Sequence, residues 1–369
     1  MSKAAELANL IGNINAGGGG VGRNLVINGA MNVYQRGSDT IDHDGTTSAY
    51  VLDRFKLDTS GMDELHLTVT QDSSVPSGQG FANSMKVDIT TAESALASDE
   101  YIRILHPIEA QNLQVLNYGT SDAKTITLSF WVRSNLTGAF AVSIYQADGD
   151  RIIGSTYSIS TADTWEKKTI TFEGDTGGTI NDDNGAGFYI NFCLGTGSDR
   201  TGTDNSSWSA FANAKMFNGQ VANITSSASN DFYLTGVQLE IGQNETEFEH
   251  EPYDVTLRKC HRYFENIGIT AGSYVYAAAY AYSTTEVRAV QHYKVKRATP
   301  SFSFDAQGDV IVYYNGSSTD TSVSWNYHDI GLNSCRVSVT MSGTSTTAGY
   351  ATALYVNGSD TYNIKVDAE

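Results

Sequence analysis

The feature that most constrains this chain is a repeated alternation of apolar and polar side chains over short segments. One segment places four apolar residues on one side of an extended chain: Ile126, Leu128, Phe130 and Val132. The same alternation recurs at residues 65–69, 140–144 and 188–194. Because side chains in a strand point alternately to its two faces, each segment predicts a strand with one buried face. Many such strands predict two sheets packed face to face, which is an all-β sandwich.

The apolar phase of one predicted strand slips at Gly236. Phe232 and Leu234 precede this glycine in one phase, whereas Val237 and Leu239 follow it in the other. A glycine at such a slip is typical of a β-bulge, where one extra residue is inserted into a strand.

The composition agrees with a folded β protein and excludes two classes of partner. Aromatic residues make up 11% of the chain and charged residues only 17%, which is the opposite of a disordered composition. The formal net charge of −18 repels phosphate backbones, so we expect no nucleic-acid partner. The sequence has no apolar run of about 18 residues, so we expect no membrane insertion.

The three cysteines, Cys193, Cys260 and Cys335, are far apart and have no zinc-binding spacing. We interpret them as buried or free thiols of a protein made in a reducing cytosol. The N-terminus has no basic stretch followed by an apolar run, so no signal peptide is expected.

The predicted organisation has four parts. Residues 1–22 form a short helix and a glycine-rich linker, and residues 23–252 form the sandwich domain. Residues 253–265 form a short linker helix, for which Asp254 is a suitable N-cap. Residues 266–369 form a second, smaller β domain.

The N-terminal helix has one apolar stripe at helical spacing, made of Leu7, Leu10, Ile11 and Ile14. Because so short a helix is marginally stable alone in water, the stripe needs a partner surface. We interpret it as an anchor to a larger assembly; the alternative is a helix that folds back on its own domain.

Turn residues support the strand predictions on both sides of the linker helix. The pair Asp148-Gly149 suits a tight hairpin turn in the sandwich domain. Asn315-Gly316 and Asn357-Gly358 are similar hairpin signals in the C-terminal domain.

Several segments resemble, in the same order, a domain common in phage tail-fibre and virion structural proteins. They are "NLVINGAMNVYQRG" (24–37), "YVLDRFKL" (50–57) and residues 104–135, 164–176 and 232–265. That domain is similar to the jelly-roll carbohydrate-binding modules. The C-terminal third resembles the family's variable tip only loosely, mainly through its closing strand.

The resemblance implies a jelly-roll sandwich in a virion protein that associates with itself, most naturally as a homotrimer. It implies contacts with other virion proteins, which we assign to the N-terminal helix, and a variable end that faces the host. A host-surface polysaccharide is then a candidate ligand.

Catalytic chemistry has little support in the sequence, and we expect a protein that is not an enzyme. There is no HExxH motif, Walker loop or GxSxG elbow. A glycosidase needs two carboxylates about 5 to 10 Å apart, but 41 acidic residues will form such pairs by chance. Glu109 and Glu240 lie in the family-like segments, and we interpret both as structural hydrogen-bond acceptors.

One cluster of oxygen ligands, Asp182, Asp183 and Asn184, is a candidate calcium site. A tight turn rich in Asx and Gly residues explains it more simply. The resemblance adds weight to the calcium hypothesis, because carbohydrate-binding jelly rolls often hold a structural Ca²⁺. No other cofactor is expected.

Five aromatic residues are candidates for a ligand-binding or tip surface: Trp208, Tyr313, Tyr314, Trp325 and Tyr327. Trp208 lies in a long polar segment, and the other four lie in the C-terminal domain. Tyrosine and tryptophan are enriched in recognition patches, although the alternative for each of these residues is packing within or between subunits.

The leading hypothesis is therefore a non-enzymatic virion fibre or appendage subunit. One alternative keeps the structural class and places the protein on the capsid as a decoration or head fibre. The other is a polysaccharide-degrading enzyme that carries a binding module.

Overall fold

The computed structural model describes residues 22–37, 39–42, 46–270, 272–304, 310–314, 317–343, 346–356 and 362–369. The chain divides into two compact units, Met1–Thr256 and Leu257–Glu369. The predicted N-terminal helix, with Leu7, Leu10, Ile11 and Ile14, lies outside the described residues, so the anchor stays a prediction.

The described part of the first unit is built from thirteen strands. They are β1 (Asp39–Asp42), β2 (Ser48–Leu52), β3 (Phe55–Ser60), β4 (His66–Asp72), β5 (Ser84–Thr91), β6 (Tyr101–Glu109), β7 (Ile126–Ser134), β8 (Gly138–Gln146), β9 (Arg151–Ile159), β10 (Glu166–Phe172), β11 (Ala186–Thr196), β12 (Ser209–Ala210) and β13 (Asp231–Ile241). Short 3-10 helices lie at Ala110–Leu116, Ser198–Arg200, Asn213–Lys215 and Ile224–Ser226.

These strands form two antiparallel sheets. One has six strands in the order β1-β4-β5-β13-β7-β10, and the other has seven in the order β12-β9-β8-β11-β6-β3-β2. From β5 onward the chain passes repeatedly from one sheet to the other, as in a jelly roll. The predicted all-β sandwich is confirmed.

The core of the first unit lies between the two sheets, where the alternating apolar residues meet. Phe130 of β7 and Phe192 of β11 are fully buried, and their rings meet edge to face with centroids 5.1 Å apart. Ile126, Leu128 and Val132 share the buried face of β7 with Phe130. Burial of each such side chain contributes about 1.5 to 3 kcal/mol.

The predicted bulge is present at Gly236. The register between β13 and β7 shifts between Thr235 and Gln238, and Gly236 has a φ of 62°. A Cβ at this position would lie 2.6 Å from Phe81 Cζ and 3.0 Å from Trp131 Cδ1. Glycine is therefore required both by the backbone conformation and by the two rings that pack against it.

The segment at residues 24–37 closes one end of the sandwich. The side-chain amide of Asn28 donates to Val33 O at 2.9 Å and to Asp53 O at 3.0 Å, and its oxygen accepts from Val33 N at 2.9 Å. A Cβ at Gly29 would lie 2.0 Å from Val237 O, so only glycine permits this approach of the backbones. The segment at residues 24–37 therefore has a structural role.

The second unit contains a closed barrel and a small sheet. Helix α1 (Tyr253–His261) leads into it, within the range predicted for a linker helix. Its strands are β14 (Phe264–Ile269), β15 (Tyr274–Ala281), β16 (Glu286–His292), β17 (Ser301–Phe304), β18 (Val310–Tyr314), β19 (Ser317–His328), β20 (Ser334–Met341), β21 (Ala351–Val356) and β22 (Tyr362–Asp367). The barrel order is β15-β16-β20-β19-β18-β21, and the small sheet is β14-β22-β17. The predicted turns Asn315-Gly316 and Asn357-Gly358 lie outside the described residues.

A buried lysine ties the start of the second unit together. The Lys296 side chain is fully buried, and its Nζ donates to His261 O at 2.5 Å and to Glu265 Oε2 at 3.1 Å. His261 is the last residue of α1, so this ion pair joins the helix end to β14.

All three cysteines are buried thiols, as the sequence predicts. Among the described residues, no helix is both long and apolar enough to cross a membrane.

Candidate functional site

The outer face of the seven-stranded sheet carries a pair of tyrosines. Tyr145 of β8 and Tyr189 of β11 are directly opposite in register. They alternate with the buried residues Ile144 and Ile190, which turns both rings away from the core. The two rings are half-buried and nearly parallel, with centroids 6.1 Å apart and an interplanar angle of 20°. Phe211 packs against Tyr145 with centroids 4.9 Å apart.

The polar end of Tyr145 is held by a hydrogen bond. The Tyr145 hydroxyl donates to Asp150 Oδ1 at 2.9 Å. Partial burial and this hydrogen bond raise the pKa of Tyr145 to about 12, so the hydroxyl stays protonated at neutral pH.

A hydrogen-bonded network continues from the tyrosine pair across β11, β6 and β3. Arg103 Nε donates to Asp58 Oδ2 at 2.7 Å, and Arg103 Nη1 donates to Asn191 Oδ1 at 3.0 Å. Asn191 is two residues beyond Tyr189 on the same face of β11 and is 1% exposed. Its amide donates to Tyr189 O at 3.2 Å, which couples the network to the tyrosine pair.

Tyr101 forms the other end of the network. Its hydroxyl donates to Asp58 Oδ2 at 3.0 Å, and burial raises the pKa of Tyr101 above its usual value. The guanidinium groups of Arg103 and Arg200 lie over its ring, with Cζ 5.2 and 4.4 Å from the centroid. Cations over an aromatic face are attracted by its quadrupole, which holds the ring in place.

The two tyrosine rings and the Arg103 side chain are partly exposed on this face of the sheet, whereas Asn191 and Asp58 are buried and hold Arg103 by hydrogen bonds. We define Tyr145, Tyr189, Asn191, Arg103 and Asp58 as the tyrosine–arginine face. A guanidinium has five N–H donors, and the contacts with Asp58, Asn191 and the Met216 sulfur engage four of those of Arg103. The face therefore combines flat apolar contact area with polar groups that orient a ligand.

The polar segment after β11 folds over the neighbouring part of the same sheet. Phe217 from this segment is fully buried and packs with Met216 against Cys193 and Ala141. Asn205 holds the segment with two hydrogen bonds. Its side-chain amide donates to Lys215 O at 2.7 Å, and its backbone carbonyl accepts from Gly154 N at 2.7 Å. The segment thus borders the tyrosine–arginine face.

Trp208 is not an exposed platform for a ligand. Its ring stacks on Phe188 at 6.1 Å and meets Tyr118 edge to face at 5.7 Å. Its indole Nε1 donates to Glu173 O at 2.7 Å. Trp208 packs against the hydrophobic core and holds the polar segment, which corrects its assignment as a ligand residue.

Two of the aromatic residues predicted for the tip, Trp325 and Tyr327, pack against other rings of the second unit. Trp325 is 7% exposed and packs against Phe304 at 4.3 Å, so it belongs to the core of the second unit. Tyr327 stacks on Phe302 at 4.4 Å and is half-buried. Tyr313 and Tyr314 lie on β18, and their side chains are outside the described part of the structure.

The calcium candidates form an exposed turn. Asp183 Oδ1 accepts from Gly185 N at 2.8 Å, which is an Asx turn, and Asp183 O accepts from Gln111 N at 2.9 Å. The side chains of Asp182 and Asn184 are exposed. Within the described ranges, no three His, Cys, Asp or Glu side chains cluster as metal ligands. The calcium site stays a prediction.

The two acidic residues named in the family-like segments, Glu109 and Glu240, act as hydrogen-bond acceptors. Glu240 is fully buried, and its carboxylate accepts from Thr246 N at 2.8 Å, Thr246 Oγ1 at 2.7 Å and Gln238 Nε2 at 2.9 Å. Glu109 is 3% exposed and accepts from Gln111 Nε2. These bonds give each carboxylate a structural role.

A small polar pocket lies beside the closing motif and includes Asn24, Asn28, Asn32, Glu249 and Glu251 in its lining. Its side chains already hold the backbone. Glu249 accepts from the backbone N–H groups of Gly22 and Asn24, and Asn24 Oδ1 accepts from Leu239 N at 3.1 Å. The pocket walls are therefore part of the closure of the sandwich.

Sequence reasoning missed the tyrosine–arginine face, although a signal for it was present. The alternation in β8 and β11 identified Ile144 and Ile190 as core residues. The opposite phase of the same strands contains Tyr145, Tyr189 and Asn191. Large aromatic and amide side chains on the outward phase of neighbouring strands are the signal that could have found the face.

Comparison with known proteins gave matches only among solved structures. No family model and no curated protein matches the sequence. The enzymatically active domain of tailspike protein 4 of bacteriophage CBA120 is 14% identical with a TM-score of 0.30. The match covers 59% of this chain and 21% of that chain, so this chain spans about a fifth of the tailspike.

Two carbohydrate-binding modules of Clostridium thermocellum also match. The family 11 module, in complex with a mixed-linked tetrasaccharide, is 16% identical with a TM-score of 0.24, covering 57% of this chain and 98% of that chain. The C-terminal family 22 module of a xylanase is 10% identical with a TM-score of 0.28, covering 56% of this chain and 100% of that chain. All three TM-scores are below 0.5, so these similarities do not indicate a function for this chain.

Proposed function

We propose that this chain is a non-enzymatic virion structural protein, a subunit of a tail fibre or appendage, that binds a host-surface glycan through its tyrosine–arginine face. The observation that carries the glycan proposal is the pair Tyr145 and Tyr189 on the outer face of the sandwich, continued by the network of Asn191, Arg103 and Asp58.

The chemistry of the face suits a sugar ring. A pyranose has a face of C–H groups, which packs on an aromatic ring, and a rim of hydroxyl groups, which need donors and acceptors. Tyr145 and Tyr189 supply the apolar contact area, and Arg103, which is linked to them through Asn191, retains one N–H donor. Because the network holds these side chains before a ligand arrives, binding costs little side-chain entropy.

The virion part of the proposal is supported by the ordered resemblance of five sequence segments to phage fibre proteins. Self-association as a homotrimer, and attachment through the N-terminal residues, belong to the same proposal. A repeated array of weak glycan sites on a particle would give useful avidity.

Glycan binding is tested by replacing Tyr145 and Tyr189 with alanine, singly and together. We expect the double variant to bind immobilised host envelope polysaccharide at least tenfold more weakly than the wild type, which corresponds to about 1.4 kcal/mol. The matched control is Tyr253→Ala, since Tyr253 is 56% exposed and lies on α1. Unchanged binding in the double variant would refute the assignment of this face.

Virion membership is tested by imaging particles with a label on this protein, which also separates tail from head. Particles without label would exclude the virion role.

A mass measurement in solution tests the trimer, and release of sugars from the polysaccharide by the purified wild type would contradict the non-enzymatic assignment.

A further inference from the structure

The outer face of the barrel in the second unit carries three exposed apolar side chains, two on the neighbouring strands β15 and β16 and one directly after β15. Tyr280 is 45% exposed, Tyr282 is 52% exposed and Val290 is 55% exposed. Tyr280 of β15 lies directly opposite Arg288 of β16. We define Tyr280, Tyr282, Arg288 and Val290 as the tyrosine patch.

Arg288 holds the tyrosine patch in a fixed shape. Its Cζ lies 3.2 Å from the centroid of the Tyr282 ring, and its Nε donates to Glu286 Oε1 at 2.7 Å. The guanidinium is therefore fixed between a carboxylate and a ring. A tyrosine that is held in this way keeps a large exposed surface while losing little conformational entropy when a ligand binds.

The surroundings of the patch are polar and carry paired charges. Arg288 is opposite Ser338 in register, and Ser338 is opposite Asn326 of β19. The next cation, Arg336, donates from Nε to Asp329 Oδ2 at 2.8 Å. Because each arginine has a carboxylate partner, the patch suits an uncharged ligand with hydroxyl groups.

The exposed apolar area of the patch is too small for a stable protein interface and is suited to a small ligand. A tyrosine side chain offers about 200 Å², so the exposed fractions of the three apolar side chains sum to about 300 Å². A stable protein interface needs about 800 Å² on each partner. A patch of about 300 Å² is also the size at which exposed apolar surface on a monomer is often functional.

We infer that the tyrosine patch is a second saccharide-binding site, which takes one or two uncharged pyranose units on Tyr280 and Tyr282. The inference goes beyond the proposed function, because the patch lies in the other unit and shares no residue with the tyrosine–arginine face. It rests on the proposed function only for the chemical class of the ligand.

The test is saturation-transfer NMR of the full chain with four probes: the methyl glycosides of glucose, galactose, mannose and N-acetylglucosamine. We expect saturation transfer to the C–H protons of at least one probe, and Tyr280→Ala and Tyr282→Ala to weaken its binding on the order of tenfold. Tyr253→Ala is the control for an exposed tyrosine elsewhere, and circular dichroism checks that each variant is folded.

The variant Tyr145→Ala/Tyr189→Ala separates the two proposals. Binding that survives in this variant and is lost when Tyr282→Ala is added to it supports the patch, whatever becomes of the first site. Binding that is lost only in the Tyr145→Ala/Tyr189→Ala variant overturns the patch and leaves the proposed function standing. The patch is also overturned if no probe binds, or if Tyr282→Ala instead lowers the mass of the protein in sedimentation, which would identify a subunit contact.

Discussion

At the scale of single residues, glycine and tryptophan positions show how sequence becomes structure. Gly236 has a positive φ, and the rings of Phe81 and Trp131 lie where a Cβ atom would project. The slip of the apolar pattern in the sequence was sufficient to predict the bulge. Side chains of a strand alternate between two faces, so an inserted residue is needed to keep the apolar residues on both sides of Gly236 on the same face. The rings of Phe81 and Trp131 were not predictable, since they come from strands and loops distant in sequence.

We expect Gly236→Ala to destabilise the first unit by about 3 kcal/mol. About 1 kcal/mol comes from the left-handed backbone conformation, and the rest from overpacking against Phe81 and Trp131. The control is Gly78→Ala, because Gly78 also has a positive φ, of 74°, but a Cβ there would meet nothing within 4 Å. Urea denaturation of both variants measures the difference, and equal losses would mean that the rings do not matter.

Trp208 gives a second prediction at this scale. We expect Trp208→Ala to destabilise the first unit by about 3 kcal/mol, because it removes the packing against Phe188 and Tyr118. Trp208→Phe keeps one ring but loses the hydrogen bond to Glu173 O and part of the packing area, so a smaller loss of about 1 to 2 kcal/mol is expected. A Trp208→Ala variant with unchanged stability and lost saccharide binding would restore its assignment as a ligand residue.

At the scale of elements, local signals predicted strands, turns and the linker helix. The alternation in residues 126–132 corresponds to β7, and Asp148-Gly149 lies in the turn between β8 and β9. Which strands become neighbours could not be predicted, because pairing depends on contacts between distant segments. The division of the last strands into a barrel and a three-stranded sheet is one such result.

The ion pair between Lys296 and Glu265 gives a prediction for α1 and β14. We expect Lys296→Met to destabilise the second unit by about 3 kcal/mol, because it leaves the Glu265 carboxylate and the end of α1 without their buried partner. The double variant Lys296→Met/Glu265→Gln should recover part of this loss. Thermal denaturation measures both, and an unaffected single variant would contradict the role of the pair.

The same lysine predicts a pH dependence. Burial lowers the pKa of Lys296 below its usual value of 10.5, although Glu265 acts in the opposite direction. In the window between the lowered pKa and 10.5, the unfolded chain binds more protons than the folded chain, so stability rises with pH. The unfolding free energy of the wild type relative to Lys296→Met should therefore increase as pH rises toward 10.5. A difference that stays constant or falls over this window would contradict the shift.

At the scale of the whole molecule, the two units have separate hydrophobic cores. The first core contains Phe130 and Phe192, and the second contains Trp325 and Leu354. The boundary at Thr256 falls within α1, inside the range that sequence reasoning assigned to a linker. The candidate sites were less predictable than this organisation, because an outward tyrosine looks the same in sequence whether it is covered or exposed.

Separate cores predict two transitions in calorimetric unfolding. Trp208→Ala should lower the temperature of one transition, and Lys296→Met should lower the temperature of the other. A single transition that both variants shift equally would show that the units unfold as one.

The buried cysteines have a consequence for the proposed role in a virion. The thiolate is the form of cysteine that reacts, and burial raises the pKa of Cys335 to about 11 and that of Cys193 even further above its usual value. Cys260 is also buried. Neither oxygen nor a neighbouring copy can readily reach these sulfur atoms, so tightly packed subunits would not become covalently cross-linked on exposure to air.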